Sequence, residues 1–120
     1  LGVKGIIAPM AETSFAVSKF TKLVGELIPD DNKEEIEFAI NIETITAYNN
    51  LTEILATKDL DKIQGVTIGR VDFTASMGGD RKFADSDEML EICTDIFSRS
   101  RDKGLMCGLG GAISSDSINF

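Results

Sequence analysis

Segments of two kinds alternate along the 120 residues of this chain. Short apolar runs of strand length lie at roughly 3–10, 36–42, 65–72 and 105–110, and longer stretches with helical spacing of their apolar residues separate them. Strands that alternate with helices in this way predict a parallel sheet whose strands are connected by crossover helices. The expected fold class is therefore α/β, with about four βα units.

Three helices are predicted between these strands. The first runs from about Glu12 to Leu27 and ends at the turn residues 29–32. Its buried face is expected to contain Ala16, Phe20, Leu23, Val24 and Leu27. The second spans about 46–57, with a buried stripe of Ala47, Leu51, Ile54 and Leu55.

The third helix is predicted to follow a long glycine-containing loop at 74–84. Asp85 and Glu88 have the spacing of a capping box, so this helix is expected to begin at Asp85. It continues to a stop at Gly104, with an apolar face made of Met89, Cys93, Ile96 and Phe97.

Four βα units correspond to half of an eight-stranded (β/α)8 TIM barrel. An open doubly wound sheet is the alternative, but no glycine-rich nucleotide fingerprint follows any of the strands. An isolated half-barrel would leave two sheet edges unpaired, and the chain starts at Leu1 without a methionine. We therefore expect residues 1–120 to be one partial barrel domain, a fragment of a larger chain.

The composition of the chain argues against several classes of function. The formal net charge of −8 argues against nucleic-acid binding, and no apolar run approaches the ~20 residues that a membrane span requires. No signal peptide opens the chain, and Cys93 and Cys107 are expected to be buried free thiols in a reducing cytoplasm. The chain contains no histidine, so proton transfer would need a carboxylate, Lys, Tyr, a metal-bound water or groups elsewhere.

Two carboxylates close predicted strands, Glu43 after the second strand and Asp72 after the third. In the second strand Ile36, Phe38, Ile40 and Ile42 point one way, whereas Glu37, Ala39, Asn41 and Glu43 point the other. In a parallel barrel the second set would face the interior, so Asn41 and Glu43 would lie near the mouth. Glu43 and Asp72 are expected within about 6 Å of each other, as ligands of Mg²⁺ or Mn²⁺.

Three motifs in order along the chain resemble the HpcH/HpaI aldolase and citrate lyase β-subunit family. They are G-I-I-A-P-M at 5–10, N-I-E-T-x-x-A-x-x-N-L-x-E-I at 41–54 and V-T-I-G-R-V-D-F-T-A-S-M-G at 66–78. The resemblance implies a (β/α)8 barrel of which this chain supplies about strands four to seven. It also implies a homo-oligomer, a trimer or hexamer.

The resemblance assigns roles to individual residues. Glu43 and Asp72 would be the two protein ligands of the metal, and Asn41 would place an amide near a bound pyruvate. Backbone N–H groups of Gly69, Arg70 and Val71 would meet the substrate carboxylate. Arg70 departs from the family pattern, in which Pro or a small residue is usual, so it either binds a carboxylate as a catalytic residue or forms an ion pair with an acidic neighbour.

The function expected from this resemblance is a class II, metal-dependent carbon–carbon lyase of the aldolase or citrate-lyase type. Its substrate would be a 2-oxo acid or an acyl-CoA thioester, cleaved through a metal-stabilised enolate. The alternative is a non-catalytic relative that serves as a ligand-binding or assembly module.

Overall fold

A computed structural model of the protein describes residues 5–27 and 36–110. They form one four-stranded sheet in the order β1-β2-β3-β4, and every neighbouring pair is parallel. The strands are β1 (Gly5–Ala8), β2 (Glu37–Ile42), β3 (Gly65–Gly69) and β4 (Met106–Gly110). The predicted α/β class, the parallel pairing and the positions of the strands are confirmed. The predicted turn at 29–32 and the chain after 110 lie outside the described residues.

Helices cover one face of the sheet. They are α1 (Ser14–Leu27), α2 (Ile45–Asn49), α3 (Leu51–Leu55), α4 (Arg70–Ser76) and α5 (Asp87–Arg101), with short 3₁₀ turns at Leu60–Lys62 and Arg81–Asp85. The predicted second helix is two short helices, because the backbone at Asn50 departs from helical geometry with φ −97° and ψ 10°.

Helix α4 was not predicted. The sequence indicated a strand that continues to Asp72, but β3 ends at Gly69 and the helix begins at the next residue. Val71 and Phe73 favour a strand by intrinsic preference, so the run looked extended. In the structure Phe73 is instead fully buried on the helix, and packing of this kind overrides propensity.

The core lies between the helices and one face of the sheet. Alternate residues of the two central strands fill it, namely Phe38, Ile40, Ile42, Val66 and Ile68. The predicted stripe of the second helical region is confirmed, since Ala47, Leu51, Ile54 and Leu55 are all buried. In α5, Met89, Cys93 and Ile96 are buried and Phe97 packs against the core.

The predicted buried face of α1 was partly wrong. Leu23 is 50% exposed, and Ala16 is exposed as well. Val17 and Thr21 are buried in their place, alongside the correctly predicted Val24. The helix is therefore rotated by about one residue relative to the prediction. Thr21 tolerates burial because its hydroxyl donates to the Ser18 carbonyl, 3.0 Å away.

The start of α5 was also predicted wrongly by one residue. Ser86, not Asp85, is the N-cap, and its hydroxyl accepts a hydrogen bond from the Met89 backbone N–H at 3.1 Å. Asp85 has a different role, because its carboxylate forms an ion pair with Arg70.

The other face of the sheet is concave and carries small residues. Gly65, Thr67, Gly69, Gly108 and Gly110 occupy adjacent register positions of β3 and β4. A cleft of about 260 Å³ lies over the amino-terminal half of this face. Two apolar side chains project beside it into solvent, Ile7 at 50% and Met106 at 67% exposure. A face of this composition is suited to line the interior of a barrel.

Both cysteines are free, as predicted, but only Cys93 is fully buried, since Cys107 is half-buried. Burial raises the pKa of the Cys93 thiol to about 11, an effect that the nearby Arg70 charge reduces. The Cys93 side chain is therefore an uncharged thiol at neutral pH. Among the described residues, no helix combines the length and apolar character needed to cross a bilayer.

The corrected register of α1 is testable by a matched pair of truncations. Val17→Ala should lower the free energy of unfolding by about 2 kcal/mol, because it leaves a cavity in the core. Leu23→Ala should change it by no more than about 0.5 kcal/mol, because that side chain is half exposed. Urea unfolding of both variants measures the difference; a larger loss for Leu23→Ala would restore the original assignment of the buried face.

Candidate metal and substrate site

The ends of three neighbouring strands meet at the side chain of Glu43. Glu43 follows β2 directly, and its carboxylate Oε2 accepts a hydrogen bond of 2.9 Å from the backbone N–H of Met10, just beyond β1. Its Oε1 accepts a second bond of 3.1 Å from the Asn41 amide nitrogen. The carboxylate thus lies where carboxyl ends of parallel strands converge, the usual position for active sites in barrels.

Asn41 is held from both sides. Its amide nitrogen donates to Glu43, and its amide oxygen accepts a hydrogen bond from the Thr67 hydroxyl on β3. Asn41 and Thr67 are register partners in the parallel ladder, so their side chains leave the same face side by side. The result is a continuous chain of hydrogen bonds from Thr67 through Asn41 to Glu43.

The third strand contributes a glycine at the point of closest approach. A Cβ added to Gly69 would lie 2.8 Å from Glu43 Oε1, closer than real atoms of this kind come. The backbone at Gly69 has φ −94°, which any residue adopts, so the constraint at this position is space and not conformation: a side chain here would displace the Glu43 carboxylate. Its missing side chain makes room for the Glu43 carboxylate.

Met10 donates its N–H from an unusual backbone conformation. Its φ is +48°, in the left-handed region that few non-glycine residues adopt. Strain of this kind persists where surrounding contacts enforce it, and it is common at functional sites. The hydrogen bond to Glu43 and the bond from Ala11 N–H to the Asn41 carbonyl, at 3.2 Å, hold this turn against β2.

Charge distinguishes this carboxylate from an ordinary surface group. Glu43 is only 8% exposed, and no Lys or Arg among the described residues lies within ion-pair distance of it. The two N–H donors are neutral. A buried carboxylate without a cationic partner is costly, so the donor set fits a bound cation. No group of three or more Asp, Glu, Cys or His side chains clusters in the described part of the chain.

Asp72 lies in the first turn of α4 and is exposed. It follows Gly69 by three positions, on the same strand end that contacts Glu43. The two predicted ligands therefore come from adjacent strand ends, as expected, but Asp72 leaves from a helix and not from a strand. That they share one metal stays a prediction.

Arg70 forms an ion pair with an acidic neighbour, one of the two roles predicted for it from the sequence. Its guanidinium donates to Asp85 Oδ1 at 2.6 Å, to the Ala84 carbonyl at 3.2 Å and to the Gly110 carbonyl at 3.3 Å. The side chain is 2% exposed. It ties the end of β4 to the 3₁₀ turn after α4. This buried arrangement gives no support to the predicted catalytic contact between Arg70 and the substrate, which stays a prediction. The neighbouring Val71 is half-buried.

The phenol of Tyr48 belongs to a separate network between helices. It donates to Asp95 Oδ2 at 2.7 Å, and Arg99 pairs with the same oxygen at 3.2 Å. Burial, then the hydrogen bond and charge of Asp95, raise the Tyr48 pKa. This hydroxyl therefore stays protonated at neutral pH and links α2 to α5.

Sequence reasoning missed Thr67, the Met10 backbone and the partner of Arg70. Strand parity places Thr67 on the face of Gly65 and Gly69, and that signal was available. Its contact with Asn41 depends on the register between β2 and β3, which no local pattern specifies.

Comparison with known proteins identifies the family of this chain. The family model for HpcH/HpaI aldolase/citrate lyase matches residues 1–111. The chain therefore belongs to the HpcH/HpaI aldolase/citrate lyase family, as the three motifs indicated. Among curated protein sequences, none matches significantly.

Solved structures show the same fold at low identity. An HpcH/HpaI aldolase from Desulfitobacterium hafniense DCB-2 is 16% identical, with a TM-score of 0.74 over 98% of this chain and 52% of its own. Citrate synthase SbnG is 18% identical, with a TM-score of 0.79 over 98% of this chain and 51% of its own.

A third structure was solved with ligands. CitE from Mycobacterium tuberculosis, in complex with magnesium and pyruvate, is 20% identical, with a TM-score of 0.62 over 91% of this chain and 41% of its own. The present chain thus spans about half the length of the solved structures it matches.

Substitution of Gly69 tests the close packing of the carboxylate. Gly69→Ala should weaken Mn²⁺ binding at least tenfold, because the new methyl would displace the Glu43 carboxylate, and changes in residues that contact a metal ligand have effects of about 10–100-fold. Gly110→Ala is the control, since its added Cβ would lie 3.6 Å from the nearest atom, an ordinary contact. Mn²⁺ titration measures the affinity of each variant. Equal affinities would show that the position of the Glu43 carboxylate does not depend on the space left by Gly69.

Proposed function

We propose that the protein is a metal-dependent carbon–carbon lyase of the aldolase or citrate-lyase type. Its substrate would be a 2-oxo acid related to pyruvate, or an acyl-CoA thioester of a hydroxy acid. Family membership supports the lyase class, and the ligands of the CitE structure, magnesium and pyruvate, support the choice of metal and substrate.

The proposal rests on the environment of the Glu43 carboxylate. Its carboxylate is buried at the converging strand ends, each of its oxygens accepts one neutral N–H, and no described cation balances its charge. Mg²⁺ is commonly held by one or two carboxylates while water and substrate oxygens fill the other positions. Glu43 and Asp72 would be those two ligands.

A divalent cation bound there supplies Lewis-acid stabilisation of the negative charge that develops on a substrate oxygen when the carbon–carbon bond breaks. The chain's own residues have supporting roles. Asn41 is held rigidly beside Glu43 and presents its amide to the same space. The backbone of Gly69, Arg70 and Val71 would face the substrate carboxylate, while the Arg70 side chain stabilises the loop behind it.

Residues 1–120 contain no histidine, so this part of the barrel supplies no imidazole for proton transfer. Cys93 and Tyr48 are protonated, and both are held in the helical layer. The proton carrier would therefore be a carboxylate, a water molecule, or a group on the part of the barrel that these residues do not supply.

Removal of the Glu43 charge should abolish activity. In the full-length protein, Glu43→Gln should slow metal-dependent exchange of the pyruvate methyl protons with D₂O by about 100-fold or more, since metal catalysis contributes several kcal/mol. Proton NMR measures the exchange, and EDTA should stop it in the wild type until Mn²⁺ is restored.

Glu37→Gln is the matched control, because Glu37 lies on the same strand and is exposed at its other end. It should leave exchange unchanged. Full activity of Glu43→Gln would exclude the proposed site. A wild-type protein that binds Mn²⁺ but exchanges no pyruvate protons would favour the alternative of a non-catalytic binding module.

We further propose that the concave face is closed by the other half of a (β/α)8 barrel, inside a homo-oligomer. Among residues 5–27 and 36–110, the outer edges of β1 and β4 are unpaired, and the Ile7 and Met106 side chains are exposed. Both features support this proposal, because open edges and apolar faces promote aggregation unless they are covered.

Isolation of the four βα units tests this closure. Residues 1–120 expressed alone should aggregate or associate, because both edges of the sheet are then unpaired. Analytical ultracentrifugation with urea unfolding measures the outcome. A soluble monomer that unfolds cooperatively would show that these residues form a complete small domain.

A further inference from the structure

The Thr67 side chain is fixed by its two neighbours in the sheet. On one side its hydroxyl donates to the Asn41 amide oxygen. On the other side its methyl group faces Gly108 of β4, where an added Cβ would lie 3.2 Å from Thr67 Cγ2. The missing side chain at Gly108 therefore accommodates the methyl, and this leaves the hydroxyl pointing towards β2.

The Glu43 carboxylate selects the orientation of the Asn41 amide, and the Thr67 hydroxyl holds the amide in that orientation. Because Asn41 Oδ1 accepts from Thr67, its Nδ2 is the group that faces Glu43 Oε1, at 3.1 Å. The reversed amide would place its oxygen against a carboxylate oxygen, which is repulsive. The Glu43 contact therefore selects one of the two possible amide orientations, and the Thr67 hydroxyl donates to the amide oxygen that this orientation turns towards β3.

We propose that Thr67 is a positioning residue for the metal site. It holds the Asn41 amide with its nitrogen on Glu43, which fixes the carboxylate in the orientation that binds a divalent cation. This inference rests on the proposed function, because it assigns Glu43 as a metal ligand. Thr67 would act only through Asn41 and would not contact the substrate.

Loss of the hydroxyl should weaken metal binding without unfolding the protein. In the full-length protein, Thr67→Val should raise the Kd for Mn²⁺ up to about tenfold. This is the low end of the effect of losing a direct partner of a metal ligand, because Thr67 acts through Asn41. Thr67→Ser keeps the hydroxyl and should stay within about twofold of wild type. Thr94→Val is the matched control, because Thr94 is exposed on α5. Electron paramagnetic resonance of free Mn²⁺ measures each Kd without turnover.

Gly108 provides a second and independent variant. Gly108→Ala should weaken Mn²⁺ binding although the hydroxyl is still present, because the new methyl pushes Thr67 out of its rotamer. The same substitution in a Thr67→Ser background should have little effect, since serine has no Cγ2 to displace. This double-mutant cycle separates rotamer control from a general loss of stability.

Kinetics distinguish a positioning role from a catalytic one. In Thr67→Val the metal concentration for half-maximal activity should rise while kcat at saturating metal stays near wild type. Unchanged Mn²⁺ affinity in Thr67→Val, with wild type binding normally, would overturn the role of Thr67 alone. Equal weakening in Thr67→Val and Thr67→Ser would also overturn it. Absence of Mn²⁺ binding in the wild type would overturn the proposed function and this inference together.

Discussion

The structure depends on a buried carboxylate that connects three strand ends. Glu43 accepts one hydrogen bond from the turn after β1 and one from its own strand, and it packs over the last residue of β3. A charge in this position costs folding free energy unless a cation compensates it. No Lys or Arg among the described residues balances this charge, and this is the physical basis for the proposed metal site.

The segments that follow the strand ends determine how the chain leaves this position. Thr44 follows Glu43 and caps α2 by accepting a hydrogen bond from the Ala47 N–H, at 3.1 Å, so the chain turns away immediately after the carboxylate. Directly after β3, the buried Arg70 side chain is anchored in the helical layer by the partly exposed Asp85. This ion pair fixes the segment that carries Gly69 and Asp72.

Much of the fold could be predicted from the sequence because hydrophobic periods differ between strands and helices. The period of two in β2 placed Asn41 and Glu43 on the correct face. Errors arose where tertiary contacts decide between close alternatives, as in the rotation of α1. The end of β3 is a further case, where burial of Phe73 favours helix over strand. The roles of Thr67 and the Met10 N–H depend on register and backbone conformation, and local sequence patterns do not encode either.

The most direct test is the position of a bound metal. Crystals of the full-length protein grown with Mn²⁺ should give one anomalous density peak within about 2.0–2.6 Å of carboxylate oxygens of both Glu43 and Asp72. The hydrogen bonds from Asn41 and Met10 to Glu43 should remain in place. A peak elsewhere, with Glu43 still buried and without a cation beside it, would contradict the assignment of this carboxylate as a metal ligand.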